Sequence, residues 1–373
     1  FVRGELSSGM PADKAAAQSR ALAHLGVLEA PVDLIAANLD AAVGQVAAYY
    51  NPATKQFHLV QVPEDDRQLD MVSAHELTHA IQDQNFDLTK YLPSTLSDDA
   101  ATARRFVVEG EATLMMLLYV VTAQAATDPL TPQFMGMLRV QIDQFANLDA
   151  ETIGTMMGGK LGAQIAAVPP YVLVPMFDSY MKGARTVLLR YLEGGWPAVS
   201  ELYATPPSST EQVLHAASKL ICHREDPTVI NLPASLAGKG YRPVADGTLG
   251  ELGMRIYATV WKLPDVEGFA AGWGGDRWQV VEQGEAMLGL LATSWDSAAD
   301  ATEFADGMRA SFATRKIAAD LRVAGDRVDV VIGCDGKACK KPLDAMAKLH
   351  KKPGKPASAP TKAETECLAR LGA

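Results

Sequence analysis

The chain is predicted to belong to the α+β class, with a mostly helical N-terminal lobe carrying a small β-hairpin and a smaller C-terminal ββαββ module. Three observations predict this. Ala- and Leu-rich stretches of helical period dominate most of the first two hundred residues. One pair of short strand-like runs around Asn51-Pro52 interrupts them. Past a Pro- and Gly-rich connection at Asp226–Pro243, strand patterns flank a single helical stretch. The division is residues 1–235 for the first domain, 244–345 for the second and 349–365 for a flexible tail.

Residues 11–42 have helical period, broken near Pro31. The runs Val46–Tyr50 and Phe57–Val62, joined by Asn51-Pro52-Ala53-Thr54, predict a β-hairpin. No Pro or Gly falls between Gln68 and Asp83, and apolar residues recur at Leu69, Val72, Leu77, Ala80 and Ile81, so this segment is helical. Asp98–Ala126 reads as one long helix and Thr131–Leu148 as another. Gly154–Pro170, broken by Gly and Pro, reads as a mobile loop, and Phe177–Glu193 is helical again. In the C-terminal module, Leu249–Trp261 is a helix. Strands Arg277–Glu282 and Ala286–Thr293 precede the helix Ser297–Ala313, and strands Ala319–Val323 and Val328–Ile332 follow it. Gly272–Arg277 reads as a tight turn with a polar anchor at Asp276–Arg277. Lys351–Lys362, poor in apolar residues, reads as a tether.

At 373 residues the chain is long enough for two cores. Its formal charge of −10, with no basic strip before the tail, argues against nucleic acid or an anionic membrane as the main partner. No run of about 18 apolar residues occurs; Ala112–Ala126 is short and carries Thr113, Thr122 and Gln124, so no transmembrane segment is expected. The four cysteines suit two disulfides. A small loop, Cys334-Asp-Gly-Lys-Ala-Cys339, is the expected first, and Cys222 with Cys367 would then be the second, one pairing of three possible. Disulfides imply an exported protein, in a periplasm, cell envelope or the extracellular space.

The chemistry concentrates at His75-Glu76-Leu77-Thr78-His79. On a helix, residues i and i+4 stand one above the other, so both imidazoles can hold one metal ion. Glu76 begins the same turn and can reach a water beside that ion; this is the H-E-x-x-H signature of metalloproteases, with the glutamate as general base. Catalytic zinc takes a third protein ligand. An H-E-x-x-H-x-x-G-x-x-H pattern is excluded, because its Gly falls on Gln82 and its last His on Asn85. Val108-Glu109-Gly110-Glu111-Ala112 offers two carboxylates, about 200° apart on a helix. Glu109 shares its face with Arg105 and Thr113, whereas Glu111 sits among Val107, Val108, Leu114 and Met115. Glu109 is therefore expected as the ligand, with Glu111 the alternative, and Gly110 would let two helices come close.

His75-Glu76-x-x-His79 followed by Glu109-Gly110-x-Ala112 resembles the gluzincin metallopeptidases, with Val108 and Glu111 departing from the usual motif. The segments His75–Gln84, Val108–Ala112, Pro206–His215 and Gly272–Arg277 also resemble uncharacterised bacterial and archaeal predicted zinc proteases, over roughly residues 40–295. The resemblance implies a zincin-like lobe, a Zn²⁺ cofactor and a peptide or protein substrate. It also implies a substrate strand pairing with the edge of the Val46–Val62 hairpin. Gluzincins often use a His or Tyr to stabilise the oxyanion. His215, on a helix that Ser209 or Thr210 could cap, is the expected donor, with Tyr203 the weaker alternative. His24, His58, His223 and His350 lack such context, and Asp83 could orient a ligand imidazole.

The expected function is zinc-dependent endopeptidase activity, with His75, His79 and Glu109 holding the metal and Glu76 moving the proton. The alternative is a catalytically inactive exported binding protein built on the same fold, its ββαββ module contacting the partner. Nothing in the pattern specifies an oligomeric state.

Overall fold

A computed structural model describes residues 11–42, 48–59, 66–125, 128–148, 167–349 and 360–372, with 152, 155, 158, 162 and 163 between them. Most of the loop expected at Gly154–Pro170, most of the tether at Lys351–Lys362, and His350 lie outside the described residues. The class is α+β, as the sequence predicts.

Helices α1 (Ala12–Leu25) and α2 (Leu34–Ala42) come first. The hairpin follows as β1 (Ala48–Asn51) and β2 (Gln56–Leu59), antiparallel with Tyr50 opposite Phe57. Its turn is set by Asn51, whose Oδ1 accepts from the amides of Ala53 at 2.9 Å and Thr54 at 3.2 Å. The motif helix α3 (Asp66–Phe86) is next, then α4 (Asp98–Ala125), α5 (Pro132–Ala146) and α6 (Pro170–Ala204). Thr131 caps α5 ahead of Pro132, a residue suited to the first turn because its missing N–H has no intrahelical partner there. Helix α6 is longer than the sequence predicts. Pro170 starts it by the same logic, and it runs past a break at Gly194–Gly195, where Gly195 has φ of 68°.

The C-terminal half is a five-stranded antiparallel sheet in the order β3-β4-β5-β7-β6, formed by β3 (Arg242–Gly247), β4 (Trp273–Gln283), β5 (Ala286–Trp295), β6 (Ala319–Ala324) and β7 (Arg327–Ile332). Helix α7 (Gly250–Val260) links β3 to β4, α8 (Ala298–Arg315) joins β5 to β6, and α9 (Gly336–Ala347) and α10 (Lys362–Leu371) follow the sheet. Beyond the expected ββαββ lie β3, α9 and a short helical turn at Val266–Ala270. Strand β3 contains Pro243 and no apolar alternation, which an edge strand with a bulge between Pro243 and Ala245 tolerates. Helix α9 was legible only as a disulfide loop; it buries Cys339, Leu343 and Met346 along one stripe against the sheet. Gly272–Arg277 is not a turn but the start of β4, with Trp273 buried and a bulge between Trp273 and Gly275.

Both disulfides form as paired in the sequence reading, Cys222–Cys367 with Cα atoms 5.6 Å apart and Cys334–Cys339 with 5.3 Å. They suit an oxidising compartment. Helix α4 is long and apolar enough to cross a membrane by length and composition. In this fold it is a core helix, burying Phe106, Val107, Leu114 and Leu118 against its neighbours.

The two halves share a core. Helix α1, which the sequence division groups with the motif helix, buries Ala21, Leu22 and Leu25 in the same cluster as Trp278, Val280 and Leu291 of the sheet. The Arg315 guanidinium donates to the carbonyls of Leu25 at 2.9 Å and His24 at 3.0 Å. A second junction starts at Asp99 in the first turn of α4. Its Oδ1 accepts from Thr210 N at 3.1 Å and Oγ1 at 2.6 Å, and Thr210 Oγ1 accepts from Leu252 N at 3.2 Å. Beside it Asp276 accepts the Leu249 and Gly250 amides, both at 2.9 Å, fastening the start of α7 to β4. Asp276 is thus a polar anchor, while Arg277 pairs with Asp246.

Candidate metal centre

Helix α3 presents His75 and His79 on one face, as four-residue spacing requires, and α4 crosses it so that Glu109 meets both. His75 Nε2 lies 3.1 Å from His79 Nε2 and 3.2 Å from Glu109 Oε2; His79 Nε2 lies 3.6 Å from the same oxygen. Tetrahedral ligands at the usual zinc bond lengths of about 2.0–2.1 Å stand about 3.3 Å apart, so the triangle has the size such an ion demands. Among the described residues this is the one group of His, Cys, Asp or Glu side chains that converges on a possible metal position.

The electrostatics follow from that packing. Burial would raise the Glu109 carboxyl, but His79 and His75 overcome it and hold its pKa well below the usual range. Burial disfavours the His79 cation, yet the Glu109 carboxylate prevails and lifts that imidazole above its ordinary value. A divalent ion would take the proton's place between them. Glu76 is half-buried, and that partial burial raises its pKa against the opposing pull of His79, His75 and a hydrogen bond from Tyr50 N at 2.7 Å. A carboxylate with a raised pKa is a better base.

That Tyr50 bond fixes the hairpin's orientation. Tyr50 N–H points away from β2 and toward Glu76, so the outer edge of β1 faces the centre. Asp83 holds the hairpin there. It accepts from Tyr50 Oη at 2.8 Å, Lys55 Nζ at 2.6 Å and Leu88 N at 3.0 Å. Asp83 therefore fastens the hairpin instead of orienting an imidazole. The side chain that touches His79 from behind is Gln82, whose Oε1 lies 2.9 Å from His79 Nδ1.

Gly110 sits where α4 crosses α6, with Gly183 opposite. A Cβ at Gly110 would collide with the Gly183 backbone, and one at Gly183 with the Phe106 carbonyl. This close approach, anticipated from Gly110 in the sequence, brings Tyr180 of α6 to the centre. Its ring lies 6.0 Å from that of His75. Burial, then Glu109 and Glu76, raise its phenol pKa, which keeps it a proton donor at neutral pH.

The structure does not bring His215 to this group. His215 ends the helical turn Thr210–Leu214, which Ser209 caps as expected, and its Nε2 lies 3.0 Å from Glu251 Oε1 on α7. Among the described residues it contacts none of His75, Glu76, His79 or Glu109. Tyr203 is also elsewhere, donating its hydroxyl to Glu111. His24 packs under the sheet near the Ile332 carbonyl, His58 stacks on Tyr49 and His223 pairs with Glu364. Tyr180 and Gln82 are the residues sequence reasoning missed. Gln82 was legible only as the residue one turn past His79, and Tyr180 only as the residue one turn before the second small residue of the crossing, Gly183.

Comparison with known families and proteins adds a match for the C-terminal half alone. Residues 240–338, about a quarter of the chain, match a family described as a domain of unknown function (DUF8575). This stretch holds the five-stranded sheet with α7 and α8 and stops short of every residue of the metal centre. Neither the curated proteins nor the solved structures give a match.

Proposed function

We propose that this chain is an exported zinc-dependent endopeptidase, resembling the gluzincins, with its site between α3, α4 and α6. One observation carries the reading: two imidazole nitrogens and a carboxylate oxygen form a triangle of zinc dimensions, with Glu76 in the first turn of the same motif. His75, His79 and Glu109 would hold the ion, three protein ligands leaving a position open. Zinc, when bound, supplies Lewis acidity, polarising the scissile carbonyl and lowering the pKa of a water toward about 7.

The remaining work falls to the chain's own groups. Glu76 takes a proton from the attacking water and passes it to the leaving amine. Tyr180 donates its hydroxyl proton in a hydrogen bond to the oxyanion, the role the sequence had suggested for His215. A substrate in extended form adds to the outer edge of β1, where the Tyr50 amide faces Glu76. That edge binds backbone, so recognition depends little on side chains.

Metal analysis and a peptide-cleavage screen test the reading. Wild type is expected to hold about one zinc per chain. Glu76→Gln keeps the zinc and loses about 10²–10⁴-fold in kcat, the usual worth of a general base. Tyr180→Phe loses about 10²–10³-fold in kcat with little change in KM. Zinc-free wild type, or undiminished cleavage by Glu76→Gln, would defeat it. Zinc uptake without cleavage of any peptide would favour the inactive binding protein.

A further inference from the structure

We infer that Gln82, held by Glu111, is the positioning residue that decides which nitrogen of His79 faces the metal. The inference rests on the zinc reading and extends it to the groups behind the ligands. Gln82 is almost wholly buried, at 2% exposure. Its Nε2 donates to the Val108 carbonyl at 3.0 Å and to Glu111 Oε2 at 2.9 Å. Both partners only accept, so the amide cannot be turned over without setting two acceptors against its oxygen. Its Oε1 is thereby fixed against His79 Nδ1, at 2.9 Å, and an amide oxygen can only accept. The proton of neutral His79 must then sit on Nδ1. The lone pair falls on Nε2, the atom that faces His75 and Glu109.

Glu111 is anchored in turn. The same Oε2 receives the Tyr203 hydroxyl, and the Tyr203 ring stacks on Phe86 at the end of α3, with centroids 4.0 Å apart. The two glutamates of Val108-Glu109-Gly110-Glu111 thus serve the two sides of one histidine. Glu109 meets its metal-facing nitrogen directly, and Glu111 reaches its rear nitrogen through a neutral amide. That amide transmits orientation without placing a carboxylate on the imidazole. Partners of this kind are worth about 10–100-fold in metal affinity in zinc proteins generally.

The test uses the full chain, a chelator competition for zinc, and NMR of the zinc-loaded protein carrying ¹⁵N-histidine. In wild type, His79 is expected to carry its proton on Nδ1 and the metal on Nε2. Gln82→Met should weaken zinc binding about 10–100-fold, measured at a temperature where the metal-free variant, destabilised by the buried groups it leaves unpaired, is still folded. Gln82→Glu alone sets two carboxylates together and should weaken zinc similarly. Zinc-loaded Gln82→Met should also shift the ¹⁵N signal of His79 Nδ1, because its N–H loses the amide oxygen that accepts it, a signature that a merely structural role would not give. Tyr203→Phe, which keeps the stacking, should cost a few-fold. Wild-type zinc affinity in Gln82→Met, an unmoved His79 Nδ1 signal in that variant, or zinc on Nδ1 of His79 would each overturn the inference and leave the zinc reading intact. Wild type that takes up no zinc would remove both, and the wild-type arm reports that separately.

Discussion

Helix α4 carries two carboxylates that the fold treats in opposite ways. Asp99 opens the helix at the junction with the C-terminal half, and Glu109 lies further along it at the metal centre. Around Asp99 the neighbours are neutral donors from Thr210 and the carboxylates of Asp276 and Glu251. Burial, helped by that negative company, pushes its pKa up to about 7. Around Glu109 the neighbours are two imidazoles, and its pKa falls well below the ordinary value despite burial. Removal from water is common to both sites, so the sign of the shift is set by what the surrounding elements bring. A site that gathers cations favours the ionised acid, and one that gathers neutral hydrogen-bond donors and other acids favours the protonated one. Asp276, which accepts only neutral donors, follows Asp99, its pKa rising to about 6.

The largest expected effect acts on only one of these two sites. Gly110→Ala forces a Cβ into the Gly183 backbone and should cost about 3 kcal/mol, the upper end for overpacking. Because Tyr180 and Glu109 flank that crossing, zinc affinity should fall with it. Hydrogen exchange at the Thr210 and Leu252 amides, which belong to the Asp99 junction, should stay slow in the native state; loss of protection at both sites together would show that α4 acts as a single lever.

A matched pair of carboxyl-to-amide changes then sharpens the comparison. Glu109→Gln should destabilise the metal-free protein by about 2 kcal/mol at pH 7. That is less than the 3–5 kcal/mol of a fully buried pair, because 30% of its side chain stays exposed. Its folded pKa is depressed, so its contribution is present above the unfolded value of 4.5 and disappears as pH falls through the folded value. Zinc affinity should drop more than 100-fold, since a direct ligand is worth more than the partners behind it.

Asp99→Asn should change stability by a similar amount with the opposite sign and leave zinc affinity untouched, which makes it the smallest effect of the three taken together. The folded state holds the Asp99 proton up to about pH 7, whereas the unfolded chain releases it near 3.8. Ionisation therefore costs the fold increasingly between those values, and in full above pH 7. The asparagine keeps an acceptor for Thr210 and removes that cost. Its melting temperature should exceed wild type at pH 8, by about 2 kcal/mol of stability, and show no gain near pH 4. A loss at pH 8 would mean that the ionised carboxylate is what Thr210 requires.

Periodicity carried most of the helices and four of the five strands of the main sheet, because each rests on residues close in sequence. It failed where tertiary contact overrides local pattern. Strand β3 carries Pro243, which an edge position tolerates. Helix α6 runs on through the break at Gly194–Gly195, and α9 hides behind a disulfide loop. The metal centre divided along the same line. His75 and His79 were legible because helical spacing alone places them together. For the third carboxylate the sequence could rank Glu109 over Glu111 by the faces they share, but both point inward, to opposite sides of His79.

By itself, then, the sequence determined the directions its side chains take from their own helices and strands. Only the tertiary structure decided which neighbours those side chains meet. It set His215 against Glu251, brought Tyr180 beside His75 and gave Gln82 the back of His79. The reason is that a helix fixes side-chain angle about its own axis, while encounters between helices depend on where their axes cross. Here that crossing is set by two glycines, Gly110 and Gly183, far apart in the chain and packed backbone to backbone.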